Sequence, residues 1–518
     1  MSSSFLRRAL SNTVWSSVSS LTNAVLSLVV AGMTIRWLGL EEAGFVLFLA
    51  AIVGANKSVF SLGLTGGCLR FVSEAHGRKD RAEEHRLMDT ILSFNAISTG
   101  ILVVGLTFLI PWFIDISQYS ANRETALVYG RMILFALLVG SISGTCTAGV
   151  QAAQEFRFLA LTGTAFRLLS NGAKVALLSV SPSLLTLGLI EIVLSVLSVS
   201  IFGRKFYQVY GFVPRMRPQW TVFQRLWQFS RWSYLQSLGN TVLGNFDRIL
   251  IATFFSAAVL PLYSMAKRGY LIGHDVIAGL ASFFFPMLSS VGEAKHEIIV
   301  RIEPRVRWML TAIGIVFYGG MILVGPTLLN WIVMPGFGTE IAPLIMIFGC
   351  VGMISLQTVM PYHVAMATDR PWLTTLCQYS NTILTFLVML FFAWQGSLVG
   401  VVAAHLCDTF AVTLHYFLVN QANRRPGALL YQIISPIVTI MVAWMLLMGV
   451  WSLLYLQEAT WYYWILGGAV GIPLAALLAL FLERLRGDRY RSLETMRSIQ
   501  TIAAERCSPL RSIRIPFV

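Results

Sequence analysis

Runs of about twenty predominantly apolar residues recur from one end of this chain to the other, and each is long enough for a helix to cross the hydrocarbon of a bilayer. Charged or turn-forming connectors divide them into six between Asn12 and Phe202, six between Tyr234 and Val419, and two more at Gln432 to Leu454 and Tyr462 to Leu482. Backbone polar groups find no water inside a membrane, so a chain patterned this way crosses it as helices. The expectation is an all-α polytopic membrane protein with about fourteen transmembrane helices. Composition agrees, with 56% of residues hydrophobic and 12% charged and a mean hydropathy of +0.71.

The net charge of +14 does not point to nucleic acid, because the basic residues sit in short connectors instead of gathering on one face. They read as a topology signal. With the N-terminus inside, connectors on the cytoplasmic side hold about 29 Lys and Arg, and those outside hold roughly two, Arg36 and Arg123. Both termini are expected in the cytoplasm, with the chain multi-pass in a bacterial inner membrane. Arg7 and Arg8 precede an apolar stretch as in a signal peptide, but that stretch is long and lacks a small-residue cleavage pattern, so it reads as a retained first helix. The six cysteines, Cys68, Cys146, Cys350, Cys377, Cys407 and Cys507, show no CxxC spacing and no His at ligand spacing, so neither a metal nor a disulfide framework is expected.

An internal repeat organises the spans. Trp15 to Leu26 aligns without gaps on Trp232 to Leu243, matching Trp, Ser and Asn as well as apolar positions, and Gly100, Val104, Gly105, Thr107 and Leu109 align on Gly320, Val324, Gly325, Thr327 and Leu329. Helix one thus corresponds to helix seven and helix three to helix nine. An even number of spans separates the copies, so the halves run parallel about an axis along the membrane normal, and substrate is expected between them. The expected organisation is a first six-helix lobe over residues 1–202, a basic cytoplasmic linker with an interfacial helix over 203–231, a second six-helix lobe over 232–419, two C-terminal helices over 420–482, and an Arg-rich cytoplasmic tail over 483–518.

Ionisable residues inside spans are expensive and mark functional sites. The basic set is Lys57, Arg131, Arg167, Lys174, Arg248, Lys267 and Arg268, and the acidic set is Glu191, Asp247, Asp275 and Asp408. Surplus positive charge suits an anion. At 1.5 Å rise per residue, Asp247 and Arg248 lie about 11 to 12 Å below the outer surface and Lys267 and Arg268 about 12 to 14 Å. One acid among three bases at one depth implies an Asp247 ion pair with Lys267 or Arg268, the remaining cations being left for substrate or snorkelling to an interface. Lys57 lies mid-span in helix two, and the repeat maps it onto His274. The expected substrate-binding set is therefore Lys57, Arg248, Lys267, Arg268 and His274. Arg131, Arg167 and Lys174 rank lower, since each can reach an interface. Asp247, Asp275, Asp408 and Glu191 are candidates for ion pairing or coupling, with polar packing as their simpler role.

The external connectors are short, the longest being roughly Pro111 to Thr125, and no DxD cluster is present, so a membrane glycosyltransferase or polymerase is disfavoured and no catalytic residue is expected. No GxxxxGK[ST] motif occurs, so nothing encodes ATP use.

Trp37-Leu-Gly-Leu-Glu-Glu-Ala-Gly-Phe45, Phe246-Asp-Arg-Ile-Leu-Ile251, Leu262-Tyr-Ser-Met-Ala266, Phe285-Pro-Met-Leu288 and Gly396-Ser-Leu-Val-Gly400, in this order and spacing, resemble the polysaccharide-transporter branch of the multidrug/oligosaccharidyl-lipid/polysaccharide exporter superfamily. That branch includes O-antigen and exopolysaccharide repeat-unit flippases. The resemblance implies a twelve-helix, two-lobed core with two extra C-terminal helices, alternating access, and a cargo of oligosaccharide linked to undecaprenyl diphosphate. It also implies that Lys57, Arg248, Lys267 and Arg268 are the basic residues of a central cavity. No cofactor is expected. The implied partners are the lipid-linked oligosaccharide, the lipid bilayer and a polysaccharide polymerase, with the chain itself a monomer. The alternatives are a peptidoglycan-precursor flippase and a multidrug or organic-cation exporter, the latter disfavoured by the surplus of cations.

Overall fold

The computed structural model describes residues 26–60, 62–281, 295–367 and 371–419, with scattered positions from 440 to 449. Regular structure within them is helical. In chain order the principal helices are α1 (Leu26–Leu38), α2 (Leu40–Phe60), α3 (Arg81–Ile116), α4 (Arg123–Ala152), α5 (Phe156–Val180), α6 (Leu184–Tyr210), α7 (Trp220–Phe254), α8 (Leu260–Ala281) and α9 (Lys295–Ile332). Next, α10 (Phe337–Ser355) tightens through a 3-10 turn at Leu356–Thr358 and resumes as Val359–Ala367. The last two are α11 (Pro371–Trp394) and α12 (Leu398–Ala403), which passes through a 3-10 turn at Ala404–Cys407 into Asp408–Val419. The expected spans Gln432 to Leu454 and Tyr462 to Leu482 and the tail 483–518 lie outside the described residues save for the scattered positions.

Local chemistry sets the boundaries. The side chains of Asp80, Asn122, Ser183 and Ser397 accept from the N–H groups of Glu83 (3.1 Å), Thr125 (3.0 Å), Leu185 (3.2 Å) and Gly400 (3.1 Å), satisfying donors that a helix start leaves free. At the end of α6 the chain turns left-handed at Gly211 (φ 76°), a conformation open to glycine at no steric cost.

Six helices among the described residues are long and apolar enough to cross a membrane: α3, α4, α6, the Met309–Ile332 part of α9, α10 and α11. Their outward faces carry large apolar side chains such as Ile97, Ile101, Val104, Phe108 and Trp112 on α3, a stripe at helical spacing that meets lipid. The charge-bearing helices α5, α7 and α8 are not among the six, because each gives part of its surface to polar groups that face protein or an internal cavity.

The helices form two bundles. In the first, α4 packs along α3 and α6, and in the second, α10 packs along α8 and α9 while α11 pairs with α12. The expected counterparts α3 and α9 are both long, at 36 and 38 residues. The side chains of Trp15, Asn23, Trp232 and Asn240 in the aligned segments lie outside the described residues.

We call the face with Lys/Arg-poor connectors the outer one. On this side one apolar core is shared by both bundles, joining Phe45, Phe48 and Leu106 to Ile251, Leu260, Tyr263 and Phe348. Away from it the cores separate. One cluster, including Leu64, Met88, Cys146 and Phe206, belongs to the inner part of the first bundle, and another, including Ile277, Leu310, Tyr318 and Ile354, belongs to the second. The molecule is thus fused outside and divided within.

A backbone contact closes the outer side. Ala257, in the turn between α7 and α8, donates its N–H to the carbonyl of Ser117 at the end of α3 (2.9 Å). Its own carbonyl lies against Gly44 of α2, so close that a Cβ at position 44 would sit 1.7 Å from the oxygen. Only glycine fits there.

One element differs from expectation. The linker is expected to carry a separate interfacial helix, but α6 runs on to Tyr210, residues 211–219 are non-helical, and α7 continues unbroken from Trp220 to Phe254. Tertiary contacts explain the continuity. Phe223 stacks on Phe94 (ring centroids 4.1 Å apart), Arg225 pairs with Glu83 (2.9 Å), and Arg70 lies over Phe229 (4.4 Å). These hold the inner turns of α7 on the first bundle, aligned with the rest of the helix. The non-helical strap is pinned by the Arg215 N–H donating to Asp89 (2.6 Å) and by His85 stacked on Phe212 (3.4 Å). The outer half of α7 contacts the second bundle through Phe246 on Phe386 (4.4 Å) and Asp247 on α8.

Candidate functional site

A cavity of about 780 Å³ opens between the bundles beneath the outer seal. Its walls come from helices whose polar residues recur at three- and four-residue spacing and so share a face. On α5 these are Arg167, Ser170 and Asn171, on α6 Glu191, Ser195 and Ser198, and on α8 Ser264, Arg268 and Asp275. From α7 comes Arg248. A narrower apolar extension of about 200 Å³ continues toward α1 and α2 and is lined by Lys174 as well as Glu191 and Arg268.

Neighbouring residues on a helix point about 100° apart, because a turn takes 3.6 residues. Asp247 and Arg248 therefore cannot face the same way, nor can Lys267 and Arg268. Asp247 and Lys267 turn toward each other and zip α7 to α8 as a buried ion pair. Tyr263 donates its hydroxyl hydrogen to Asp247 and lies 2.9 Å from His405 Nε2, while the second carboxylate oxygen accepts from the Arg248 N–H (2.9 Å). The hydroxyl has one hydrogen, so with that hydrogen given to Asp247 the imidazole must be the donor in the Tyr263–His405 bond. Each charge in this cluster is compensated.

The next residue on each helix, Arg248 and Arg268, reaches the cavity, and the two guanidinium groups lie close enough to repel each other. Among the described residues no carboxylate lies within 4.0 Å of Arg167, Arg248 or Arg268. Among the described residues the Arg248 guanidinium donates to the side-chain oxygen of Asn245, at 3.5 Å, and its Nε, like the hydroxyl of Ser264, is buried without a hydrogen-bond partner there. Two guanidinium groups without a carboxylate partner among the described residues present N–H donors to the cavity, a surface suited to an anion rich in acceptor oxygens.

The other expected site residues lie elsewhere. Lys267 is committed to Asp247 and does not line the cavity. His274 bonds Ser355 (3.1 Å) and faces a separate pocket of about 440 Å³ within the second bundle, shared with Asp408, which accepts from Asn381 (2.7 Å). Glu191 pairs with Lys174 (2.8 Å) on the first-bundle wall, and Asp275 lies exposed on the second. The side chain of Lys57 lies outside the described residues. Of the expected residues, Arg248, Arg268, Glu191 and Asp275 are brought together. Arg167, ranked low because it could snorkel, faces the cavity instead, as part of the α5 stripe with Ser170 and Asn171 that also continues through Lys174.

Comparisons with known proteins agree with this architecture. The family model described as "Polysaccharide biosynthesis protein" matches residues 9–291. The chain is 22% identical over 315 residues to the probable flippase AglR of Haloferax volcanii, a match covering 60% of this chain and 62% of that protein's length. Among solved structures, the inward closed conformation of the lipid II flippase MurJ is similar at a TM-score of 0.68, with 12% identity, over 92% of this chain and 99% of that one. An inward-facing multidrug resistance MATE family transporter of the MOP superfamily gives 0.64, also at 12% identity, over 78% of this chain and 96% of that one. These structural likenesses show a shared polytopic helical fold. The family model covers more than half of the chain, which accordingly belongs to the polysaccharide biosynthesis protein family.

Proposed function

We infer that this protein is a flippase that carries an oligosaccharide repeat unit, linked to undecaprenyl diphosphate, across the inner membrane by alternating access, for surface polysaccharide biosynthesis. The observation that carries this reading is the pair Arg248 and Arg268. Both are half-buried cations without a carboxylate partner among the described residues, and both line a cavity walled by both bundles. A diphosphate supplies the negative charge and acceptor oxygens such donors need, and Arg offers paired N–H groups matched to phosphate. The sugar occupies the polar lumen while the polyprenyl chain stays in lipid. An organic cation would be repelled there. On this reading both termini are cytoplasmic, the two lobes span residues 1–202 and 232–419, and the chain works as a monomer that hands its product to a polysaccharide polymerase.

Replacing Arg248 or Arg268 by Gln should leave the protein in the membrane at its normal level and reduce exported glycan at least about tenfold, since a hydrogen bond to a charged group contributes roughly 1.5–3 kcal/mol. Measuring membrane abundance and surface polysaccharide in the same cells tests this. Export near the wild-type level from the double variant Arg248→Gln/Arg268→Gln would refute the reading.

A further inference from the structure

The cavity is stratified by depth. Measured from the outer ends of their helices at 1.5 Å per residue, Arg248 and Arg268 lie about 9 and 12 Å down. Arg167 on α5 and Asp275 on α8 lie deeper, at about 20 and 22 Å. The shallow level has surplus positive charge, because on its first-bundle wall Lys174 and Glu191 neutralise each other. The deeper level has one cation on the first-bundle wall and one anion on the second. Arg167 and Asp275 are both exposed to the lumen, and neither makes an ion pair among the described residues. Ser170 and Asn171 on α5 and Ser195 on α6 stand between the two levels, at about 14 to 16 Å.

Resting on the diphosphate reading above, we propose that this deeper level is the saccharide-recognition site of the cavity, taking a neutral, hydroxyl-bearing sugar between Arg167 and Asp275. Its net charge is zero, so it does not compete with the shallow level for phosphate. A carboxylate accepts hydrogen bonds from sugar hydroxyls, and a guanidinium donates in a plane to hydroxyl or amide oxygens. Both bundles contribute, so a bound sugar bridges the two walls. The cargo then lies with its diphosphate toward the outer seal and its glycan toward the inner side. Deep in the cavity the glycan also sits where the two bundle cores are separate.

Binding to purified full-length protein in nanodiscs tests this, with undecaprenyl diphosphate as one probe and the same lipid carrying a single glucose or N-acetylglucosamine as the others. In wild type the sugar should add affinity over the bare diphosphate lipid. Arg167→Gln and Asp275→Asn should each remove that increment, about tenfold, and leave binding of the bare lipid unchanged. Arg248→Gln should weaken all probes alike. A wild-type protein that binds undecaprenyl diphosphate but gains nothing from either sugar overturns the proposal while leaving the diphosphate reading intact. Failure to bind any of the lipids overturns both. A charge reversal, Arg167→Asp with Asp275→Arg, separates recognition from a simple latch between the bundles. A latch would be restored by the reversed pair, and restored export in the double variant would therefore also overturn the proposal.

Discussion

Valine in place of Gly44 should hold the protein open to the outside and stop export without unfolding it. The Cβ would meet the Ala257 carbonyl at 1.7 Å, a contact with backbone on both sides that no rotamer change can relieve. The outer seal must part, whereas the α2 surface elsewhere keeps its packing. Overpacking of this kind typically costs about 1–3 kcal/mol, enough to shift a balance between two arrangements by roughly 5- to 150-fold. A cysteine introduced at Ser264, which lines the cavity, should then react with a membrane-impermeant thiol reagent added outside, and should be protected when Gly44 is retained. Alanine at position 44 should act in the same direction, since the clash begins at the Cβ. Equal labelling with and without the Gly44→Val substitution would show that the seal does not depend on this contact.

Loss of Asp247 should act on folding instead of transport. Asp247→Asn keeps the shape of the side chain but leaves Lys267 buried without a counter-charge, and breaking a buried pair in this way costs about 3–5 kcal/mol. That is a large part of the roughly 5–15 kcal/mol that keeps a domain folded. Membrane abundance and melting temperature should both fall. Removing the stranded cation as well, in Asp247→Asn/Lys267→Met, should recover part of the loss, because replacing both partners is cheaper than orphaning one. Normal abundance and melting in the single variant would mean that the pair does not hold α7 to α8. The contrast with Arg248→Gln and Arg268→Gln, which should lower export at constant abundance, separates the structural charges from the functional ones on the same two helices.

That separation was partly legible in the sequence. Rise per residue places Asp247, Arg248, Lys267 and Arg268 at one level, and charge counting says that one acid satisfies one base. Depth says nothing of azimuth, and only the packing of α7 against α8 decides that Lys267 turns inward and Arg268 toward the lumen. Arg167 shows the converse. Taken alone it reads as a cation able to snorkel, but with Ser170, Asn171 and Lys174 it forms a polar stripe at helical spacing on an otherwise apolar helix, a signal that points to a cavity. The continuity of α7 could not be read locally. Gly211, Pro214 and Pro218 mark a break, yet whether a helix starting at Trp220 lies in the interface or enters the membrane depends on Phe94, Glu83 and Arg70, partners more than a hundred residues away. His274 follows from a repeat offset that matches position along the chain but not the face of the helix, and it turns away from the central cavity.

The unbroken course of α7 has a mechanical consequence. This helix is 35 residues long, about 52 Å at the α-helical rise. It is clamped at its inner end to one bundle through Phe223, Arg225 and Phe229, and at its outer end to the other through Phe246 and Asp247. On the proposed alternating access the two bundles rotate against each other, and a beam held by both at its ends cannot stay straight. The same proposed rocking of the bundles must be taken up as curvature between Tyr234 and Asn245, a stretch that contains Gly239 and Gly244. In that case α7 acts as a leaf spring. Its bending stiffness then enters the barrier between the two arrangements, and a substitution that touches neither cargo nor seal can set how fast the protein turns over.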